Sequence, residues 1–319
     1  MLATHSIFKK MNELGTLKVP FFFMIDFLKE NGEVIPLSDL PSSIQYEIAG
    51  SVNQSTIPNY FFQFNPISYQ TYQKQFKIVH QNIMLGNSYL TNLTCATPIK
   101  TNLSLANIYK LTQAKYKLNY KDKFVCFSPE TFVRITNNKI ASYPMKGTID
   151  ASIQNAQEII LNDEKEAAEH ATIVDLIRND LSLVANNVTV TNYRYIDELT
   201  TNNKKLLQVS SEIIGDLDNE YYSNLGTIFN KLLPAGSICG APKKKTVEII
   251  LKAETYQRNF YTGVFGVFDG ENLDSAVMIR FIEKQNEELI FKSGGGITAK
   301  SDCESEYNEM KQKIYVPIY

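Results

Sequence analysis

The stretch Thr131-Phe132-Val133-Arg134-Ile135-Thr136-Asn137-Asn138-Lys139-Ile140-Ala141 reads as two β runs joined by a two-residue turn. Its β-branched and aromatic residues suit a pleated surface, and Asn tolerates the left-handed backbone that a tight hairpin demands. A second β-rich run, Phe260 to Phe268, reaches Asp269-Gly270 and resumes from Ser275 to Ile282. Both patterns imply antiparallel sheet. Elsewhere Ala156 to Leu161, Ala167 to Leu183 and Val247 to Tyr256 carry apolar residues at three-and-four spacing, which predicts helices. The chain is therefore expected to mix α and β elements.

Two helix starts are marked by a cap residue followed three positions later by Glu: Asp163-Glu164-Lys165-Glu166 and Ser301-Asp302-Cys303-Glu304. Glu166 and Glu169 in the first helix, and Glu306 and Glu309 in the second, are three apart and share a helical face. Four carboxylates could meet at one point, although solvated acidic faces give the same spacing. The segment Gly236-Ser237-Ile238-Cys239-Gly240-Ala241-Pro242-Lys243 reads as a tight loop feeding a helix, a junction that offers backbone N–H groups to an anion. Gly294-Gly295-Gly296 follows the strand-like Leu289 to Lys292 and would let backbone approach a ligand closely.

Composition narrows the function classes. The 319 residues are 44% apolar, enough for a substantial core. With 32 basic and 34 acidic residues and no aromatic-interleaved basic cluster, nucleic acid is not an expected partner. The longest apolar run, Pro20 to Ile25, falls well short of the roughly 20 residues that cross a bilayer, and the start lacks a signal-peptide core, so a cytoplasmic location is expected. Cys95, Cys126, Cys239 and Cys303 form no Cys-x-x-Cys pair, and His5, His80 and His170 are scattered, so any metal should be held by oxygen. No repeat or linker divides the chain. We read residues 1–66 as a short N-terminal elaboration packed on the same unit as a catalytic domain spanning 67–319.

In order along the chain, Gly86 to Leu93, Ser128-Pro129-Glu130, Pro144 to Thr148, Lys165 to His170, Asp175 to Leu181, Pro234 to Lys243, Arg280 and Gly294 to Glu309 resemble the motifs of the chorismate-utilising enzymes, the family of anthranilate synthase component I. The resemblance runs from about Phe76 to Lys313. It implies an α+β fold of two large packed antiparallel sheets flanked by helices, with chorismate as substrate. It also implies Mg²⁺ bound by Glu169 and Glu309, with Glu166 and Glu306 nearby and acting through water. Mg²⁺ keeps several waters and takes few carboxylates, leaving room for the substrate's ring carboxylate. Arg280, Lys313, Gly295 and Gly296 are implied near the enolpyruvyl carboxylate, and Ser237 and Gly240 are further candidate substrate-binding residues.

Two positions discriminate among the family's reactions. Isochorismate and salicylate synthases carry a water-activating lysine where this chain has Leu90, which cannot act as a base. Lys146 in Pro144-Met145-Lys146-Gly147-Thr148 resembles the nucleophile of aminodeoxychorismate synthases, where anthranilate synthases have Ala. A lysine buried beside Mg²⁺ and other cations should shed its proton readily and attack the ring, with Glu130 as general acid. The expected product keeps its enolpyruvyl group and serves 4-aminobenzoate and folate synthesis.

Three departures from the family pattern bear on this expectation. Gln208 stands at the usual histidine, Cys239 at the usual Thr or Ser, which would remove a hydroxyl donor from the pocket, and Ile149-Asp150 follows Thr148. Without a glutaminase signature in the chain, ammonia would come from a separate glutamine amidotransferase subunit. The competing expectations are anthranilate synthase component I and a non-catalytic chorismate-binding subunit. The second is motivated by Gln208 and Cys239.

Overall fold

The structure is a computed structural model and describes residues 2–50, 57–200 and 205–318. Among these residues the strands form two antiparallel sheets, of ten and eight strands. The larger runs, neighbour to neighbour, Leu2–Ala3, Asn31–Pro36, Phe21–Ile25, Val264–Phe268, Leu273–Val277, Thr131–Thr136, Lys139–Ser142, Lys205–Asp216, Met145–Asp150, and Asn186–Thr200 also pairs with Lys205–Asp216. The smaller runs Gly240–Ala241, Leu90–Thr101, Glu288–Ile297, Phe281–Gln285, Phe124–Ser128, Tyr116–Tyr120, Ile44–Ile48, with Phe62–Phe64 added along Leu90–Thr101. Residues before position 66 thus contribute strands to both sheets. No helix among the described residues is long and apolar enough to cross a membrane.

The apolar run at Phe21–Ile25 is explained by burial on both faces. Phe22 and Met24 pack with Tyr116, Leu118, Phe124 and Phe281 of the other sheet, so the two sheets face each other across this core. Phe21, Phe23 and Ile25 point the opposite way, into a cluster with Ile7, Phe8, Met11 and Phe229 from the helices Thr4–Thr16 and Leu225–Leu232. A third cluster joins Leu93, Val125 and Phe291 of the smaller sheet to Tyr72, Ile249 and Met310 on the helices that cover it. Helices therefore flank both outer faces of a two-sheet sandwich.

The Thr131–Thr136 and Lys139–Ser142 strands form the expected hairpin, with Asn137 and Asn138 at φ 52° and 59°. The second hairpin joins Val264–Phe268 to Leu273–Val277, but the expected strand through Ile282 is broken. Arg280 adopts φ 53°, and beyond it Phe281–Gln285 belongs to the other sheet. The β-rich composition continues across a point where the chain changes sheets. Asp163 caps helix Glu164–Ser182 by accepting from Glu166 N–H at 2.9 Å. At the second start the cap is Asp302, which accepts from Ser305 N–H, and not Ser301, whose hydroxyl instead donates to Glu306. Gly294-Gly295-Gly296 does not follow the strand but lies within it, paired with Thr94, Leu93 and Asn92.

Candidate active site

A cavity of about 550 Å³ opens where Met145–Asp150, Glu288–Ile297 and the helices Glu164–Ser182 and Cys303–Gln312 converge. Its lining includes Glu130, Lys146, Glu166, Glu169, Ser237, Arg280, Gly295, Gly296, Glu306, Glu309 and Lys313. Of the sequence-derived candidates Gly240 alone stays outside it. Gly240 has φ 122°, pairs with Thr91, and leaves no room for a Cβ, which would meet Leu90 C=O at 1.8 Å. Its role is a close backbone approach. Cys239 also lies outside the lining, fully buried with its thiol toward Lys243 C=O, so it takes no donor away from the cavity wall.

Lys146 is aimed by a bulge. Lys146 pairs with Val209 and Thr148 with Gln208, which leaves Gly147 as the extra residue at φ 74°. Lys146 Nζ donates to Glu169 Oε2 at 2.7 Å. Burial works against the ammonium, but Glu169, and then Glu166 and Glu309, outweigh it and raise its pKa. The expectation of easy proton loss was for a lysine beside bound Mg²⁺, and this charge balance is that of the carboxylates alone. The carboxylates of two helices surround it, and together they hold the charged form.

Glu130 sits in the turn between Phe124–Ser128 and Thr131–Thr136 and accepts a hydrogen bond from Ser237 Oγ at 2.5 Å. Burial pushes its pKa up, while the Ser237 bond and the charges of Lys146 and Lys313 pull it down, with a net rise. A carboxyl held toward its protonated form beside a cavity can donate a proton. Lys313 Nζ donates to Glu309 Oε1 at 2.7 Å and to Gly294 C=O at 2.9 Å. Arg280 lies over the Tyr315 ring, 5.1 Å from its centroid. Two cations thus face the same cavity as two acidic helices.

The glycines serve this arrangement through absent side chains more than through N–H groups. A Cβ at Gly295 would lie 3.3 Å from Glu309 Oε1 and 3.4 Å from Glu306 Oε2. One at Gly296 would lie 3.0 Å from Leu90 Cδ1 and 4.0 Å from Lys146 Nζ. Thr94 N–H is taken by Glu254 and Asn92 C=O by Arg258, so their partners Gly294 and Gly296 turn their peptides away from that strand. By the same alternation Gly295 turns its N–H toward Leu93, and the expected pair of anion-binding N–H groups reduces to Gly296.

Among the described residues no three His, Cys, Asp or Glu side chains lie close enough together to hold a metal ion by themselves. The carboxylates present are Glu306 and Glu309 above Gly295, Glu169 beside Lys146, and Glu166, whose Oε2 would be 3.3 Å from a Cβ at Gly147. This all-oxygen, open set fits a hard divalent ion that completes its shell with water and substrate.

Several lining residues escaped the sequence reading, among them Tyr261, Gln312 and Tyr315, while Asn92 lay in the Gly86 to Leu93 motif without a role. Gln312 continues the Glu306, Glu309 spacing by one more step of three and was findable on that ground. The buried Glu254–Arg258 pair beneath the wall was not. Arg258 donates to Glu254 Oε1 at 2.6 Å, to Asn92 C=O at 2.7 Å and to Ile238 C=O at 3.1 Å, holding two cavity-lining residues. His170, next to Glu169 but on the buried face, bonds Ser211 Oγ at 2.7 Å; burial, then Arg194 and Lys146, push its pKa down to about 4.

Comparison with known proteins identifies the family and the fold. Residues 47–318 match the family model described as chorismate binding enzyme. An "Uncharacterized PabA-like protein" of Pasteurella multocida is 49% identical, over 99% of this chain and 100% of its own length. Anthranilate synthase component 1 of Aquifex aeolicus is 34% identical over 60% of this chain and 39% of its own. The menaquinone-specific isochorismate synthase of Escherichia coli superposes with TM-score 0.73 at 15% identity, covering 97% of this chain and 80% of that one.

Proposed function

Starting from the premise that the chain belongs to the chorismate-binding enzyme family, we propose that it is the aminating component of an aminodeoxychorismate synthase. The observation that supports this reading is the amine of Lys146, directed by the Gly147 bulge into the cavity that Glu130 lines from another wall. Leu90, packed against Gly296 and aligned by the resemblance with the water-activating lysine of isochorismate synthases, is aliphatic and cannot act as a base. When bound, Mg²⁺ held by Glu169 and Glu309, with Glu166 and Glu306 through water, would neutralise the ring carboxylate, withdraw electrons from the diene and offset the charge that keeps Lys146 protonated.

The chain's own residues supply the rest. Arg280, and Lys313 at the end of the helix that carries Glu306 and Glu309, offer positive charge to the enolpyruvyl carboxylate and so orient the substrate in the cavity. Lys146, its proton given up to solvent, forms a C–N bond at ring carbon C2 as both double bonds of the ring diene shift and the C4–O bond breaks. Glu130 protonates the departing hydroxyl, which leaves as water. Ammonia then bonds at C4, both double bonds shift back, the C2–N bond to Lys146 breaks, and the proton that the new ammonium group releases restores Glu130. The sum is chorismate plus ammonia giving 4-amino-4-deoxychorismate plus water, with the enolpyruvyl group retained. A glutamine amidotransferase partner would supply the ammonia, and ammonium salts would replace it in vitro.

A second reading, anthranilate synthase component I, is favoured by the 34% identity to the Aquifex aeolicus protein of that name. Intact-mass measurement with chorismate and Mg²⁺ but no ammonia separates the two. The proposal expects a covalent adduct on wild-type protein and none on Lys146→Ala. Full activity in that variant would reject the nucleophilic role.

A further inference from the structure

We infer that His170 is a positioning residue that sets Glu169 against Lys146. His170 follows Glu169 in the helix Glu164–Ser182 and is 1% exposed, on the face that also buries Ile173, Val174 and Ile177. Its Nε2 lies 2.7 Å from Ser211 Oγ, on the strand Lys205–Asp216. The Ser211 N–H donates to Pro144 C=O at 3.0 Å, two residues before Lys146. A ring of contacts thereby closes. Lys146 meets Glu169 by an ion pair, Glu169 is bonded to His170 by the chain, His170 reaches Ser211, Ser211 holds Pro144, and the chain returns to Lys146.

The same hydroxyl ties in a further element. Ser211 Oγ accepts from Arg194 N–H at 2.9 Å, where Arg194 takes φ 52° in a bulge between Asn192 and Tyr195. The Arg194 guanidinium donates to Leu161 C=O at 2.7 Å, at the end of the helix Ala156–Asn162, just before the Asp163 cap of the helix that carries Glu169. Ser211 is therefore the fixed point for the acidic helix, its preceding helix and the strand of Lys146.

Packing alone does not account for an imidazole at this position. His170 Nδ1 has no hydrogen-bond partner among the described residues, and a buried polar atom left unpaired is costly where an apolar ring of similar size would fill the space. What the imidazole adds is one directional bond. An apolar contact lets a helix slide or roll by a fraction of an ångström, whereas the Nε2 to Oγ distance fixes its seat. Misplacing reacting groups by about 1 Å costs on the order of 10²-fold in rate, so the seat of Glu169 bears on turnover.

This inference rests on the proposed roles of Lys146 and Glu169, and its test is chosen to fail separately from them. His170→Phe, His170→Gln and Ser211→Ala would be compared with wild type in the full chain. Thermal unfolding, kcat and KM for chorismate disappearance, and the labelling rate of Lys146 Nζ by an amine-acylating reagent read by peptide mass spectrometry would be measured. His170→Phe is expected to stay folded, lose about tenfold or more in kcat with little change in KM, and label faster at Lys146. His170→Gln, whose amide can reach Ser211, should recover much of both, and Ser211→Ala, a small truncation, should repeat the loss. Wild-type kcat and labelling in His170→Phe or in Ser211→Ala would overturn the inference, as would equal losses in the Phe and Gln variants. Labelling reads the Lys146–Glu169 contact without turnover, and chorismate disappearance is read whatever the product. An unexpected product in wild type therefore refutes the proposed function and leaves this test standing.

Discussion

Lys146 Nζ and Glu169 Oε2 lie 2.7 Å apart, one on a sheet-edge strand and the other on a helix, and the contact joins the amine proposed as nucleophile to a carboxylate proposed to hold the metal. Replacing Glu169 by Gln keeps the shape and removes the charge. The expected outcome is Mg²⁺ binding at least about tenfold weaker, read by calorimetry without chorismate, since even outer-shell changes cost that much. Lys146 should label faster in the same protein. Unchanged Mg²⁺ affinity would remove Glu169 from the metal site.

Glu130 provides the pH dependence. Burial raises its pKa in the folded protein above the ordinary carboxylic value. Its protonated form is the proposed acid, so turnover should fall as pH rises through this elevated pKa, and Glu130→Gln should lose both that limb and most of the activity. Stability carries the same sign. The folded state binds the proton more tightly than the unfolded state, so this contribution is fully present below the unfolded carboxylate pKa and is lost as pH rises through the folded one. Denaturant titrations at several pH values should show that slope in wild type and a flatter one in Glu130→Gln.

Two glycine substitutions should separate site effects from backbone strain. Gly295→Ala puts a methyl 3.3 to 3.4 Å from Glu309 Oε1 and Glu306 Oε2 within a strand, so it should weaken Mg²⁺ binding while leaving thermal stability nearly unchanged. Gly147→Ala meets φ 74° and should cost roughly 1–2 kcal/mol in stability, with loss of turnover as Lys146 is re-aimed. Equal effects of the two on stability would contradict the distinction.

The pair beneath the cavity wall gives a stability expectation. Arg258 and Glu254 side chains are each 2% exposed and joined at 2.6 Å. Glu254→Ala leaves Arg258 buried without its counter-charge and Thr94 N–H without its acceptor, and should cost about 3–5 kcal/mol by urea unfolding. A loss below about 1 kcal/mol would mean that water enters and relaxes the site.

What could be read from sequence was local. The turn at Asn137-Asn138, the Asp163 cap and the spacing of Glu166 with Glu169 depend on a few neighbouring residues, and each is present in the structure. The break in the strand at Arg280 was missed because residue type says little about where a chain leaves one sheet for another. The three glycines were placed after the strand because their poor strand propensity is overridden by pairing with Asn92, Leu93 and Thr94. Which carboxylates surround Lys146 is likewise decided at a distance, by two helices far apart in sequence. His170 carried a motif but no visible role, since Ser211 becomes its partner only when the sheet forms.

The central claim is amination of chorismate without loss of pyruvate, and its most direct measurement is the product formed from chorismate, Mg²⁺ and ammonium by the purified protein, separated by chromatography and identified by mass. The account expects 4-amino-4-deoxychorismate, no free pyruvate, and no product from Lys146→Ala. Anthranilate with stoichiometric pyruvate would contradict it.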